Sequence, residues 1–417
     1  SVTAATTFSV FGDNDASGIN EFYNAATISG IISGGSPITV SGGVSTGGNS
    51  SGSLTLGGNN TFTGALTVNS DTKVIAAHIN GLGTTAGGTT VNAGGTLSLS
   101  ANGTYAAEPL TINGAGVQSG GAGVGALENL SGSNTFGGTI TLNLASTIGV
   151  TSGTLALGGV ISGSNPLIKV GPGPLFLTAT ETYSAGTIVN NGTLFLNGSL
   201  PVGNAVSVSS SGTLAGNGLV NAPVTIQTGA TLAPGVNAVG KLIVNGPLNL
   251  FGTTAMELNK ASATNDQVAG ISTVLYGGSL VVTNLGGTLV MGDTFKLFSA
   301  LSYQGSFATL SLPTLGANLA WSNSLAYNGT LQVVTNPPAV SQAPVKLTLT
   351  SSSTSVTLQW PADHTGWRLL AQTNNLLSGI SSNTNDWTTV SGSAATNQVS
   401  IPVDPAKPTE FYRLVYP

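Results

Sequence analysis

A Gly-Thr-Leu triplet recurs through most of this sequence, and its recurrence constrains the fold more than any other feature. It begins at Gly95, Gly153, Gly192, Gly212, Gly287 and Gly329, with a near copy in Gly229-Ala230-Thr231-Leu232. Several copies continue with period two, as in Thr96-Leu97-Ser98-Leu99, Thr154-Leu155-Ala156-Leu157 and Thr193-Leu194-Phe195-Leu196. A second unit comprises Asn60-Thr61-Phe62-Thr63-Gly64, Asn134-Thr135-Phe136-Gly137-Gly138 and Glu181-Thr182-Tyr183-Ser184-Ala185-Gly186, each followed by a short alternating run. Self-similarity about every 17–25 residues is the signature of a solenoid. Alternation over two or three apolar residues puts one face of each strand inward.

Eight Asn-Gly pairs, with Asn at 80, 102, 113, 191, 197, 217, 245 and 328, are expected to supply left-handed corner geometry. Thr, Ser and Asn on a stacked surface can hydrogen-bond along the ladder. A sandwich would need longer strands with aromatic anchors, and residues 36–250 hold almost no large rings. The fold class is therefore read as all-β: a β-solenoid, expected as a right-handed parallel β-helix, followed by a small C-terminal β-sandwich. About 15 coils of about 20 residues would make a column of roughly 70 Å.

Composition removes several functions. The chain has 417 residues, of which only 9 are Lys or Arg and 14 Asp or Glu. So few cations cannot neutralise a phosphate backbone, which excludes nucleic acid as a partner. There is no cysteine, hence no disulfide framework and no thiol-based metal or nucleophile chemistry. Apolar residues are 40% of the total, which argues against disorder. No run is long enough for a transmembrane segment. The start at Ser1 and the avoidance of cysteine fit a secreted, extracellular or cell-surface protein whose export signal has been removed.

The composition shifts near Pro337-Pro338. Residues 342–417 hold both Arg, three of the four Trp (Trp360, Trp367 and Trp387) and eight of the charges. The expected domains are an N-terminal strand segment at 1–35, solenoid repeats at 36–250, a solenoid end or cap at 251–336, a linker at 337–344 and a sandwich at 345–417. Thr7-Phe8-Ser9-Val10-Phe11 and Ala26–Ile32 read as strands outside the repeat register that could complete a neighbour's sheet.

Residues Gly173–Thr178 and Tyr183–Leu196 resemble the autotransporter-associated β-strand repeat of bacterial surface proteins. Ser211–Gly218 and Gly229–Gly235 are similar to what usually follows that repeat. The resemblance spans about residues 50–335, is closest over about 130–260, and implies an exported β-helical passenger, structural or adhesive, without catalytic residues. It departs from the usual autotransporter, which ends in a membrane barrel. The tail, with short strands such as Val356–Trp360 and Phe411–Val415, instead resembles a fibronectin-type-III-like sandwich.

Candidate chemistry is sparse. Between residues 30 and 335 the acids are Asp71, Glu108, Glu128, Glu181, Glu257, Asp266 and Asp293, none within eight residues of another. A polysaccharide-active β-helix enzyme would need two of them converging within about 10 Å on a concave face. His78, in a strand-like run, and His364, in a turn, read as structural. Asp13, Asp15 and Ser17, with Gly18 following, match the first half of a calcium loop, and Glu21 could serve as a further ligand. Position twelve of that loop is Asn24 rather than Glu, so an exposed polar turn is the competing reading. No cofactor other than this calcium is expected. Tyr105, Phe62, Phe136, Tyr183 and Phe195 are the candidate rings for stacking on a glycan, and all five are expected in the solenoid interior.

These readings favour a non-enzymatic subunit of an extracellular filament or stalk, a homo-polymer assembled by strand pairing between subunits. The alternative is a monomeric adhesin or carbohydrate-binding passenger that recognises a glycan or cell-surface ligand.

Overall fold

The computed structural model describes residues 1–12, 25–44, 51–236, 238–336, 343–407 and 409–416. The chain divides into two compact units, residues 1–316 with 321–334, and residues 317–320 with 335–417.

The first unit is a β-solenoid. Its main sheet joins 31 strands, almost all of them paired in parallel with the layer before and the layer after. Three ladders run along it. One passes from Ser199–Leu200 to Leu219–Val220 to Lys241–Val244. A second passes from Val206–Gly216 to Val224–Ile226 to Leu248–Leu250. The third links Thr213, Thr231 and Thr253 in register. Partners lie about 18 residues apart where layers are tightest (Val206 with Val224) and about 32 apart in the first layer (Thr6 with Ile38). The longer layers carry excursions, such as the hairpin of Gln118–Ser119 with Ala122–Gly123.

Alternation sets the core. Leu175 and Leu177, Leu194 and Leu196, Val224 and Ile226, and Leu248 and Leu250 are all buried, with the residue between each pair facing out. Each buried aliphatic side chain contributes about 1.5–3 kcal/mol. Outside, asparagines bond to their counterparts one layer away: Asn92 Nδ2 donates to Asn69 Oδ1 at 2.8 Å, and Asn245 Nδ2 to Asn221 Oδ1 at 2.9 Å.

The Asn-Gly pairs meet the expectation in part. Of the eight Asn-Gly pairs, four carry left-handed geometry: one at Asn102 (φ 55°) and three at the glycine, Gly114, Gly192 and Gly329 (φ 77°, 66° and 75°). Closeness of the layers is the commoner demand. At Gly138 the backbone is ordinary, but a Cβ would overlap the Glu108 carbonyl in the adjacent layer. Left-handed geometry is required at Gly120 and Gly121 (φ 58° and 81°), the turn of the excursion hairpin, where nothing crowds a side chain.

Two boundaries differ from the sequence reading. The N-terminal strands are in register with the column: Thr6–Gly12 pairs with Ile38–Val44, and Ala25–Ile28 with Gly52–Leu56. Their apolar residues match the inward parity of the next layer, so they form the first layer rather than a detached arm. At the other end, layers continue to Thr309–Ser311. Among the described residues the closing structure is a sheet of Thr294–Lys296, Leu319–Ser324 and Thr330–Thr335 with the short helix Leu325–Asn328. Tyr276, Phe298 and Phe307 pack together beneath that helix, and the Tyr276 hydroxyl donates to the Leu325 carbonyl.

The second unit holds two three-stranded antiparallel sheets. One orders Thr348–Ser351, Ser355–Gln359 and Gln398–Pro402; the other orders Thr388–Thr389, Arg368–Thr373 and Glu410–Val415. Leu358, Trp360 and Leu369 form its buried centre, flanked by Val356, Ile401 and Leu414 from both sheets. Arg413 lies over the Trp387 ring, 4.2 Å from its centroid. Of the linker read at 337–344, residues 337–342 lie outside the described residues.

Candidate functional site

Most of the solenoid's charged side chains are structural. Glu128 is buried, accepts from Ser98 and Thr151, and pairs with Lys73 at 2.8 Å. Lys169 is fully buried, its ammonium donating to the carbonyls of Val170, Gly171 and Asn191; burial holds its pKa down at about 8. Glu108 accepts from Thr89, Glu181 accepts the Ile161 amide at 2.5 Å, and burial pushes both carboxyls up to about 7. The same task explains the asparagines that open the second repeat unit: Asn60 Oδ1 accepts from Ile32 N and Asn134 Oδ1 from Gly103 N. Each caps an amide one layer away.

The sequence-flagged residues fall into three groups. Asp13, Asp15, Ser17 and Glu21 lie outside the described residues. Among the described residues no three His, Cys, Asp or Glu side chains are grouped to hold a metal ion. His78 sits beyond the strand Thr72–Ala76, in the turn made by Asn80-Gly81, and its Nδ1 accepts from Asn80 N. His364 is buried in the second unit, its ring held between Asp363 and the Ala343 carbonyl. Phe62, Tyr105, Phe136 and Tyr183 are buried in the column, as their place in the repeat suggested.

Phe195 is not. It lies between inward Leu194 and Leu196, so parity turns it outward, where it stacks on Phe176 at 4.6 Å with the rings 9° from parallel. Phe176, between Leu175 and Leu177, is its in-register partner one layer back. One layer forward the register position is Ala215, followed by Ala233. Two successive alanines after two phenylalanines leave a hollow in the outer face. Its volume is about 250 Å³, and Phe195, Thr213, Ala233, Gly235, Glu257 and Asp266 are among its walls.

The far wall is acidic. The strand Thr253–Asn259 turns back into Thr264–Asn265, an antiparallel hairpin that brings Glu257 and Asp266 together. Asp266 Oδ1 accepts from Gly240 N and Oδ2 from Glu257 N, both at 2.7 Å, which ties Gly240 to the hairpin. Burial, and secondarily the charge of Glu257, pushes the Asp266 carboxyl up to about 7 despite those bonds. Glu257 Oε2 is buried and has no hydrogen-bond partner among the described residues. This pairing was not foreseen from the sequence, where the two acids stand nine residues apart. The signal that could have found it is the short turn at 260–263 between them.

A family profile described as passenger-associated-transport-repeat matches residues 49–70 and 167–194. The second match takes in the strands Leu167–Val170 and Leu175–Leu177 and the first part of Thr187–Leu196, so the repeat in sequence corresponds to a coil in space. No curated protein matches the chain.

Proposed function

We propose that this chain is an exported, non-enzymatic passenger, present at the cell surface or secreted, whose solenoid is a rigid stalk. The observation that carries this reading is the ladder itself: both profile-matched segments lie in one parallel stack running from Thr6 to Ser311. Against catalysis, Asp266 engages both its oxygens with backbone amides, leaving Glu257 alone where glycoside hydrolysis needs two working carboxyls. The second unit is read as fibronectin-type-III-like, because its first, second and fifth strands face its fourth, third and sixth around Trp360.

Self-association is the finer part of the proposal. Among the described residues Thr6–Gly12 pairs on one side only, leaving a free edge at the first layer. Open-ended filaments need two complementary ends, and at the other end Thr309–Ser311 likewise pairs on one side only among the described residues and is exposed. Strands unpaired on one side at both ends of the column support the homo-polymer assembled by strand pairing between subunits. Light scattering on the purified chain tests this: species that grow beyond a dimer as concentration rises are expected, and a monomer at about 100 μM would overturn it. Protease shaving of producing cells tests export, since protection of the chain until lysis would contradict it.

A further inference from the structure

We infer that the hollow bounded by Phe195 and Glu257 is a carbohydrate-binding site, taking one uncharged sugar ring of an oligosaccharide chain. Phe176 covers one face of the Phe195 ring, at stacking distance and nearly parallel. On the other face the next ladder position is Ala215, whose methyl group cannot continue the stack. A planar apolar surface is thus presented to a concave space, the arrangement on which the C–H face of a pyranose packs. Aromatic stacking of this kind contributes about 0.5–1.5 kcal/mol beyond area burial.

The polar groups around that surface select the chemistry of the ligand. Glu257 presents a buried carboxyl oxygen with no partner among the described residues, an acceptor whose desolvation is uncompensated until a donor arrives. Thr193 and Thr213 also line the hollow, and they begin an outward hydroxyl row that continues through Thr231, Thr253, Ser279 and Thr309. Acceptors and hydroxyls beside a flat apolar face fit a polyhydroxylated ring, and the two acids disfavour a uronate. A space of about 250 Å³ is below the roughly 300–1,000 Å³ of sites for drug-sized molecules, which suits a single sugar residue. The row of hydroxyls along the column gives neighbouring sugars a place to lie.

The small floor residues also provide the test. Ala215→Phe should extend the Phe176–Phe195 stack into the hollow, filling it while keeping the ladder, so the variant is expected to fold with an unchanged or raised melting temperature. Oligomers of glucose, mannose and N-acetylglucosamine would be titrated against the full chain by ligand-observed NMR and calorimetry. Saturable binding of at least one series is expected, weakened at least tenfold in Ala215→Phe, Phe195→Ala and Glu257→Gln. Absence of binding by every series at about 10 mM overturns the inference, as does binding that all three variants retain. Binding of indole without any sugar would make the hollow an aromatic site and overturn the carbohydrate class. None of these outcomes depends on export or self-association, which are read separately.

Discussion

The two units bury their apolar residues by different means. In the solenoid the core is a column of Leu, Ile and Val, two or three per strand, and the layers sit so close that Gly138 has no room for a methyl group. In the second unit the centre is a small cluster around Trp360, with two antiparallel sheets closing on it. One is held by repetition, so each layer is stabilised by its neighbours. The other depends on a few large side chains. The first should therefore fail where layers are forced apart, and the second where a single ring is removed.

Gly138→Val should have the largest effect. Its branched side chain must displace the Glu108 backbone, costing about 4 kcal/mol or more, and calorimetry should show the solenoid transition collapse while that of the second unit persists. Trp360→Ala should do the reverse, removing about 3–5 kcal/mol from the second unit and leaving the solenoid transition in place. If either substitution abolishes both transitions, the units are not independent cores.

Proton linkage should sharpen the contrast with an effect of about 1–3 kcal/mol. Glu108, Glu181 and Asp266 have folded pKa values near 7, above their ordinary 4.5 and 3.8. Their contribution is fully present below about pH 4 and is lost as pH rises through 7. Lys169 is held at about 8 against an ordinary 10.5, so the penalty for its charge is full below 8 and relieved as pH climbs toward 10.5. The solenoid transition should thus pass through a stability trough near pH 7.5–8, shallower in Glu108→Gln and Glu181→Gln. A monotonic profile would contradict the burial of these groups. Phe176→Ala should have the smallest effect, about 0.5–1.5 kcal/mol, because it removes an outward stack and no core.

Much of this was legible in the sequence. Period-two alternation in Thr154-Leu155-Ala156-Leu157 fixes which side chains face in, and the tail's tryptophans mark a separate core. Parity also contained the position of Phe195, since a residue between two inward leucines must point out; its aromatic character argued for the interior, and the backbone alternation overrode it. The glycines were legible in part: Asn-Gly signals a left-handed position locally, as at Gly114 and Gly192, whereas at Gly138 the constraint comes from Glu108 in another layer. The acidic wall was hidden for the same reason. Glu257 and Asp266 meet through a hairpin, and Asp266 is held in place by the Gly240 amide, which no local pattern announces.

Stacking in register is the premise of the stalk and the hollow alike, and it can be read directly. The chain contains no cysteine, so nitroxides placed through Thr213→Cys and Thr231→Cys would be its only labels. These outward positions are ladder partners about 4.8 Å apart. Electron paramagnetic resonance should show strong dipolar broadening for the pair and none for either single label. Two sharp, non-interacting spectra would mean that these layers do not lie on one another.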